Sequence, residues 1–231
     1  MNQAGLIAGA DRLGVSLADA QADALLHYVA LLERWNARFN LVSRRDIGRI
    51  WPRHILDSLS IAPVLNGIAD QASVRLRVFD IGTGAGLPGL PLAVALPHMD
   101  WLLLDRNQRK IRFLETVIGE LGITNAGARV ADLGRRTPDD LKADDEAEGA
   151  GADVVVSRAV DEPVGLLKVA APLLKPSGQL VLMTGTRTDE ESPEDGIKLD
   201  PDGGFLVSAV HELAIPGLDR AHEVTIIERA V

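Results

Sequence analysis

The stretch RVFDIGTGAGLPGL, residues 77–90, sets Asp80 at the end of an apolar run and then crowds Gly82, Gly84, Gly86 and Gly89 behind it. Nothing else in the chain restricts its fold as much. A strand that runs into closely spaced glycines and then a helix presents backbone N–H groups and lets a ligand approach the main chain. Two frames compete. Read from Gly84 through Gly86 and Gly89, the segment matches the G-x-G-x-x-G of dinucleotide sites. Read from Asp80, it gives the tighter Asp80-x-Gly82-x-Gly84-x-Gly86, with an acid at the strand end facing a cationic or amine-bearing ligand and Pro88 suited to the first helical turn.

The surroundings fit an α/β sheet. Apolar runs of strand length lie at 76–81, 101–105, 153–157 and 179–183, with a weaker one at 128–131. Helical patterns separate most of them, which predicts a mostly parallel sheet covered on both faces. The runs 205–213 and 223–229 have no helix-length segment between them and predict an antiparallel pair closing one edge. Upstream the pattern is helical: a short helix ending near Gly14, a longer one starting at a Ser16 cap and carrying Leu25, Val29 and Leu32 at helical spacing, then pieces over 46–51 and 54–65. The expected organisation is therefore a helical appendage, 1–70, and a Rossmann-like domain, 71–231. The second strand, WLLLD, ends in Asp105, where an acid accepts hydrogen bonds from ribose hydroxyls in several adenosine-binding folds or caps the helix that follows.

Charge is unevenly distributed. The net charge is −9, which argues against nucleic acid only until the acids are located. Residues 137–151 hold six acids against Lys142, and 186–204 hold seven against Arg187 and Lys198; both read as solvated loops. Arg34, Arg38, Arg44, Arg45, Arg49 and Arg53 face Asp46 alone, with Trp35, Phe39 and Trp51 between them, the mixture that stacks bases and holds phosphates. Arg106, Arg109, Lys110 and Arg112 extend that basic surface or simply solvate a helix. No apolar stretch is long enough to span a bilayer, and MNQAGLIAGADRLG lacks the form of a signal peptide, so the expected location is cytoplasmic.

The Asp80 frame resembles the nucleotide-binding loop of class I S-adenosylmethionine (SAM) methyltransferases. The chain has no cysteine, which removes thiolate metal sites and methylation of pyrimidine carbons by covalent attack. After the fourth strand stands Val156-Ser157-Arg158-Ala159 rather than the Asn/Asp-Pro-Pro-aromatic signature of exocyclic amine methylation. Guanine N7 needs no general base, because its lone pair lies in the ring plane, and a positioning site suffices.

Trp35-Asn36, Asn40-Leu41, the RHILDSL of residues 53–59, the DIGTGAGLPG of residues 80–89 and Ser157-Arg158-Ala159 resemble, in order and spacing, the RsmG family, also called GidB. The resemblance implies SAM-dependent N7 methylation of a guanine in the 530 loop of 16S ribosomal RNA, with that RNA or the small ribosomal subunit as partner, no metal and a monomer. It implies that Asp80, Gly82, Gly84, Gly86 and Leu87 line the cofactor site, that Asp105 holds the ribose and that Asp132-Leu133-Gly134 lies beside the adenine. Arg158 would stand near cofactor and target base as the catalytic candidate. Arg49 and Arg53 are the candidates for phosphate contact. His54 and Asp57 are further candidates for substrate contact; three apart on a helix, they are expected to share a face and pair there, either holding each other beside the substrate or locking the helical appendage to the sheet domain. Three places depart from the family pattern: Thr184-Gly185 replaces a common Lys-Gly, Ala221-His222 replaces a common Arg-His, and the acid common after the third strand is displaced, Asp132 standing nearest to it. A methyltransferase of another substrate, an NAD-dependent oxidoreductase and a non-catalytic assembly factor remain alternatives.

Overall fold

The computed structural model describes residues 1–72, 75–133, 151–158, 163–184, 204–219 and 221–230. Both acidic segments fall largely outside these residues, as do Gly134, Ala159 and Gly185.

Seven strands form one sheet: β1 (Arg77–Ile81), β2 (Asp100–Asp105), β3 (Ala126–Val130), β4 (Ala152–Arg158), β5 (Leu174–Thr184), β6 (Phe205–Leu213) and β7 (His222–Arg229). Their order is β3-β2-β1-β4-β5-β7-β6. The first five are parallel, and β7 lies antiparallel between β5 and β6. The expected antiparallel edge pair is present. β5 begins five residues before the expected 179, because Lys175, Pro176, Ser177 and Gly178 interrupt the apolar run that marks it.

Alternation along the strands divides the core into two layers. Val78, Leu103, Val154, Val156, Val181 and Met183 join one layer with the N-terminal helices, while Phe79, Ile81, Leu104, Val155 and Leu180 join the other. The first layer is covered by α1 (Gln3–Asp11), α2 (Asp19–Phe39), α6 (Gly89–Ala95) and α7 (Gln108–Leu121). The second meets α8 (Pro163–Ala170). Asp80, Asp105 and Arg158 each continue an odd or even series that points to the first layer, so alternation aims all three at the side covered by the N-terminal helices.

α2 starts two residues later than a Ser16 cap predicts, with Ala18 at the cap position. Its first turn is closed by Gln21, whose Oε1 accepts the Ala18 N–H at 2.8 Å while its Nε2 donates to the Val94 carbonyl at 2.8 Å. One side chain thus caps α2 and fastens it to the end of α6. Tyr28 and Trp35 reach from α2 to Phe113 of α7, with ring centroids 6.4 and 5.5 Å away. Beyond Asn40, α3 (Arg44–Ile47) is followed by a π-helical turn over Trp51–Leu56, then α4 (Asp57–Leu59) and α5 (Ala62–Ala72). The expected single helix over 54–65 is therefore divided, with a wider turn at its start. Among the described residues no helix is long and apolar enough to cross a membrane.

Candidate active site

The strand order reverses between β1 and β4, and open parallel sheets bind ligands at such a point, outside the carboxyl ends of the strands. The glycine loop lies there. Gly82 and Thr83 N–H groups both donate to the Leu104 carbonyl, at 2.9 and 3.0 Å, tying the loop to β2. Gly82, Gly84 and Gly86 have φ of 71°, 62° and 99°. At Gly86 the need for glycine is double, since a Cβ there would sit 2.7 Å from Leu114 Cδ2 in a backbone region that side chains avoid. Around Gly82, by contrast, a Cβ would meet nothing within 4 Å, which is the open approach a ligand needs.

Two carboxylates shape the loop from below. Asp80 is fully buried, and its Oδ2 accepts the Thr83 hydroxyl at 2.6 Å and the Gly89 N–H at 2.8 Å. Burial pushes its pKa up to about 6, against the lowering effect of those two hydrogen bonds and of nearby Arg158. Its Oδ1 is buried without a partner among the described residues. Asp105 accepts the Gly84 N–H at 2.9 Å on Oδ2 and the Asn107 N–H at 2.8 Å on Oδ1. Asn107, not Asp105, caps α7, its side chain accepting the Arg109 N–H at 2.9 Å. Lys110 also approaches Asp105 Oδ2 at 3.3 Å. A carboxylate has about four lone-pair sites, so Oδ1 retains capacity for a ligand hydroxyl. The loop and Asp105 therefore suit an adenosine-bearing ligand. Leu87 is buried, while Asp132 and Leu133 are half-buried just beyond β3.

Beside the loop is a second arrangement. Arg158 ends β4, and Ser157 before it donates to the Ile81 carbonyl at 3.1 Å, holding the ends of β4 and β1 together. Arg158 Nη1 lies 3.2 Å from Asp57 Oδ2 and donates to the Arg53 carbonyl at 3.2 Å. The other oxygen of Asp57 meets His222 Nδ1 at 2.7 Å. Asp57, 3% exposed, thus joins the π-helical turn to β4 and β7. The expected His54–Asp57 pair is not formed. The turn is π-helical, closing i to i+5 rather than i to i+4, so the α-helical spacing behind the expected pair does not hold there.

Asp46, Arg53, His54, Asp57, Arg158, Met183, Thr184 and His222 surround a cavity of about 240 Å³. His54 is 9% exposed with both ring nitrogens unpartnered among the described residues, and burial, reinforced by the charge of Arg158, pushes its pKa down to about 4. Arg53 Nε lies 3.5 Å from Asp46 Oδ1 at the rim. Arg34, Arg38 and Arg49 are exposed, as is Phe39 at 45%, its ring centroid 5.4 Å from that of Trp35. The structure brings Arg53, His54, Asp57 and Arg158 to one cavity and leaves Arg49 outside its lining. His222 and Thr184, noted in the sequence only as departures from a pattern, belong to the cavity too; a lone histidine at a strand start gives no sign of a partner 165 residues away.

The family model for GidB, described as rRNA small subunit methyltransferase G, matches residues 21–215. A "Ribosomal RNA small subunit methyltransferase G" of Ralstonia nicotianae is 36% identical over 226 residues, covering 96% of this chain and 93% of that protein. Its counterpart in Burkholderia thailandensis is 39% identical, covering 98% and 91%. Among solved structures, a SAM dependent methyltransferase from Aquifex aeolicus superposes with a TM-score of 0.54 at 15% identity, covering 81% of this chain and 99% of that one. That likeness establishes the fold as Rossmann-like, of the class I SAM methyltransferase type.

Proposed function

The chain belongs to the GidB family, rRNA small subunit methyltransferase G, and from that premise we propose that it transfers a methyl group from SAM to N7 of a guanine in the 530 loop of 16S ribosomal RNA. The observation that carries this reading is that a ligand-accessible glycine loop and a half-open cavity with polar lining share Arg158 at the carboxyl ends of β1 and β4. SAM supplies an electrophilic methyl carbon: the N7 lone pair forms the new N–C bond as the C–S bond breaks, the electron pair goes to sulfur, and no proton need be removed.

The residues of this chain then have positioning and electrostatic work to do. Gly82, Gly84, Gly86 and Leu87 form the cofactor-facing loop, with Asp80 bracing it from below. Asp105 accepts the ribose hydroxyls, and Asp132 and Leu133 flank the adenine. Arg158, held by Asp57, stands between cofactor and base. The helical appendage, 1–70, forms the RNA-facing wall, where Arg49 and Arg53 contact phosphates and the Trp35–Phe39 pair offers a stacking surface. The substrate places the protein in the cytoplasm.

The test is transfer from labelled SAM to small ribosomal subunits that lack the modification, followed by strand cleavage specific for N7-methylguanine. A single labelled guanine in the 530 loop is the expected result. Intact SAM binding with no label in the RNA would sink the assignment of substrate.

A further inference from the structure

Resting on that reading, we infer that the cavity between the π-helical turn and the ends of β4 and β5 is the pocket for the acceptor base, and that His54 and Thr184 hydrogen-bond its edge. Thr184 is 7% exposed and His54 9%. The Thr184 hydroxyl and both His54 nitrogens are buried without partners among the described residues, and both side chains line the same space. Folding does not normally leave such atoms unbonded, because each forfeits its bonds to water. Several of them around one cavity mark a place completed by the polar groups of another molecule.

Size and charge narrow what that molecule is. At about 240 Å³ the space falls below the roughly 300–1,000 Å³ of drug-sized sites, yet far exceeds a single water. That suits one base rather than a whole cofactor. Inside it, Arg158 already faces Asp57 at 3.2 Å, and Arg53 stands half-exposed at the rim beside Asp46, turned to where a backbone phosphate would pass, so the interior is poorly suited to an anion. The partnerless groups are neutral: an uncharged imidazole offers one N–H donor and one bare nitrogen, and a hydroxyl either donates or accepts. Amide N–H, amine and carbonyl along one edge of guanine match that set, with Met183 giving an apolar side to the space. A base reaches a recessed, half-open site of this kind by leaving its stack, as in other enzymes that act on a nucleobase.

The experiment compares wild type, Thr184→Val, Thr184→Ser, His54→Leu and His54→Gln by kcat/KM for unmodified small subunits, with SAM affinity by calorimetry beside it. Loss of one hydrogen bond lowers kcat/KM about tenfold in Thr184→Val and about tenfold in His54→Leu, since the two ring nitrogens of His54 diverge and only one can reach the edge of a single base. SAM affinity stays unchanged, and the serine and glutamine variants, which keep hydrogen-bonding atoms, recover part of the rate. Full rates in both apolar variants would overturn the inference. So would a parallel loss of SAM affinity, which would assign the two side chains to the cofactor site or the fold. A wild-type protein that transfers nothing overturns the substrate reading itself, and this inference with it.

Discussion

The glycine loop and the cavity beside it are neighbours built on opposite principles. In the loop every polar side-chain atom but Asp80 Oδ1 is satisfied within the chain: Asp80 and Asp105 accept five N–H or O–H groups between them from residues 83, 84, 89, 107 and 110, and the Leu104 carbonyl takes two more. In the cavity the ring of His54 and the hydroxyl of Thr184 have no partner among the described residues. The loop is a finished scaffold whose shape is fixed before a ligand arrives, whereas the cavity is finished only by what enters it. Buried charge follows the same division. The loop buries an acid that burial drives towards its neutral form, and the cavity buries a base that burial also drives towards neutrality, from the other side.

The contrast predicts how each region fails. The largest effect is expected at Asp57: Asp57→Ala strips Arg158 and His222 of their shared carboxylate and destabilises the fold by about 3–5 kcal/mol in urea unfolding, the scale for breaking a buried pair. In the loop, Gly86→Ala forces a Cβ against Leu114 at positive φ and costs about 3 kcal/mol, with SAM binding lost as the loop shifts. A variant of normal stability would mean the loop yields more easily than a finished scaffold should. Asp105→Ala comes next, weakening SAM binding by about 1–3 kcal/mol in calorimetry; unchanged affinity would remove Asp105 from the ribose.

The two titrations pull in opposite directions. His54 titrates near 4 in the fold against 6.5 ordinarily, so the unfolded chain binds its proton first and stability falls as pH drops from 6.5 towards 4. Asp80 titrates near 6 against 3.8, so the fold binds the proton more readily and stability falls as pH rises from 3.8 towards 6. Thermal melts of His54→Gln should therefore show greater stability at pH 4 than at pH 6, and those of Asp80→Asn the reverse, with wild type between them. The smallest expected change is in RNA binding: removing Arg49 and Arg53 lowers the slope of log affinity against log salt by about 1–2. An unchanged slope would move the phosphate contacts away from the cavity rim.

What could be read from the sequence was whatever depended on near neighbours. Apolar runs gave six strands within a few residues, and the spacing of Asp80, the glycines and Asp105 located the loop, because a strand, its turn and the next strand are local units. β3 was weakly marked because its half-buried residues, Ala126 to Arg129, lack a strong apolar series. The cavity was legible only in part. Arg53, His54, Asp57 and Arg158 were identified, but the expected His54–Asp57 bond assumed an α-helix, and nothing in WPRHIL announces a π turn. Asp57 takes its partners from 101 and 165 residues away, a choice made by packing that no periodicity records.

That last geometry has a consequence for how the protein comes into being. A ribosome making this chain releases Asp57 early, Arg158 much later and His222 later still. Until the strand beginning at His222 has paired with β5, the carboxylate has only part of its grip and the cavity lacks a wall. A half-made chain can hold every residue of the glycine loop without owning a place for the acceptor. The wall that completes the cavity thus arrives last in synthesis, so an unfinished product has no built site there.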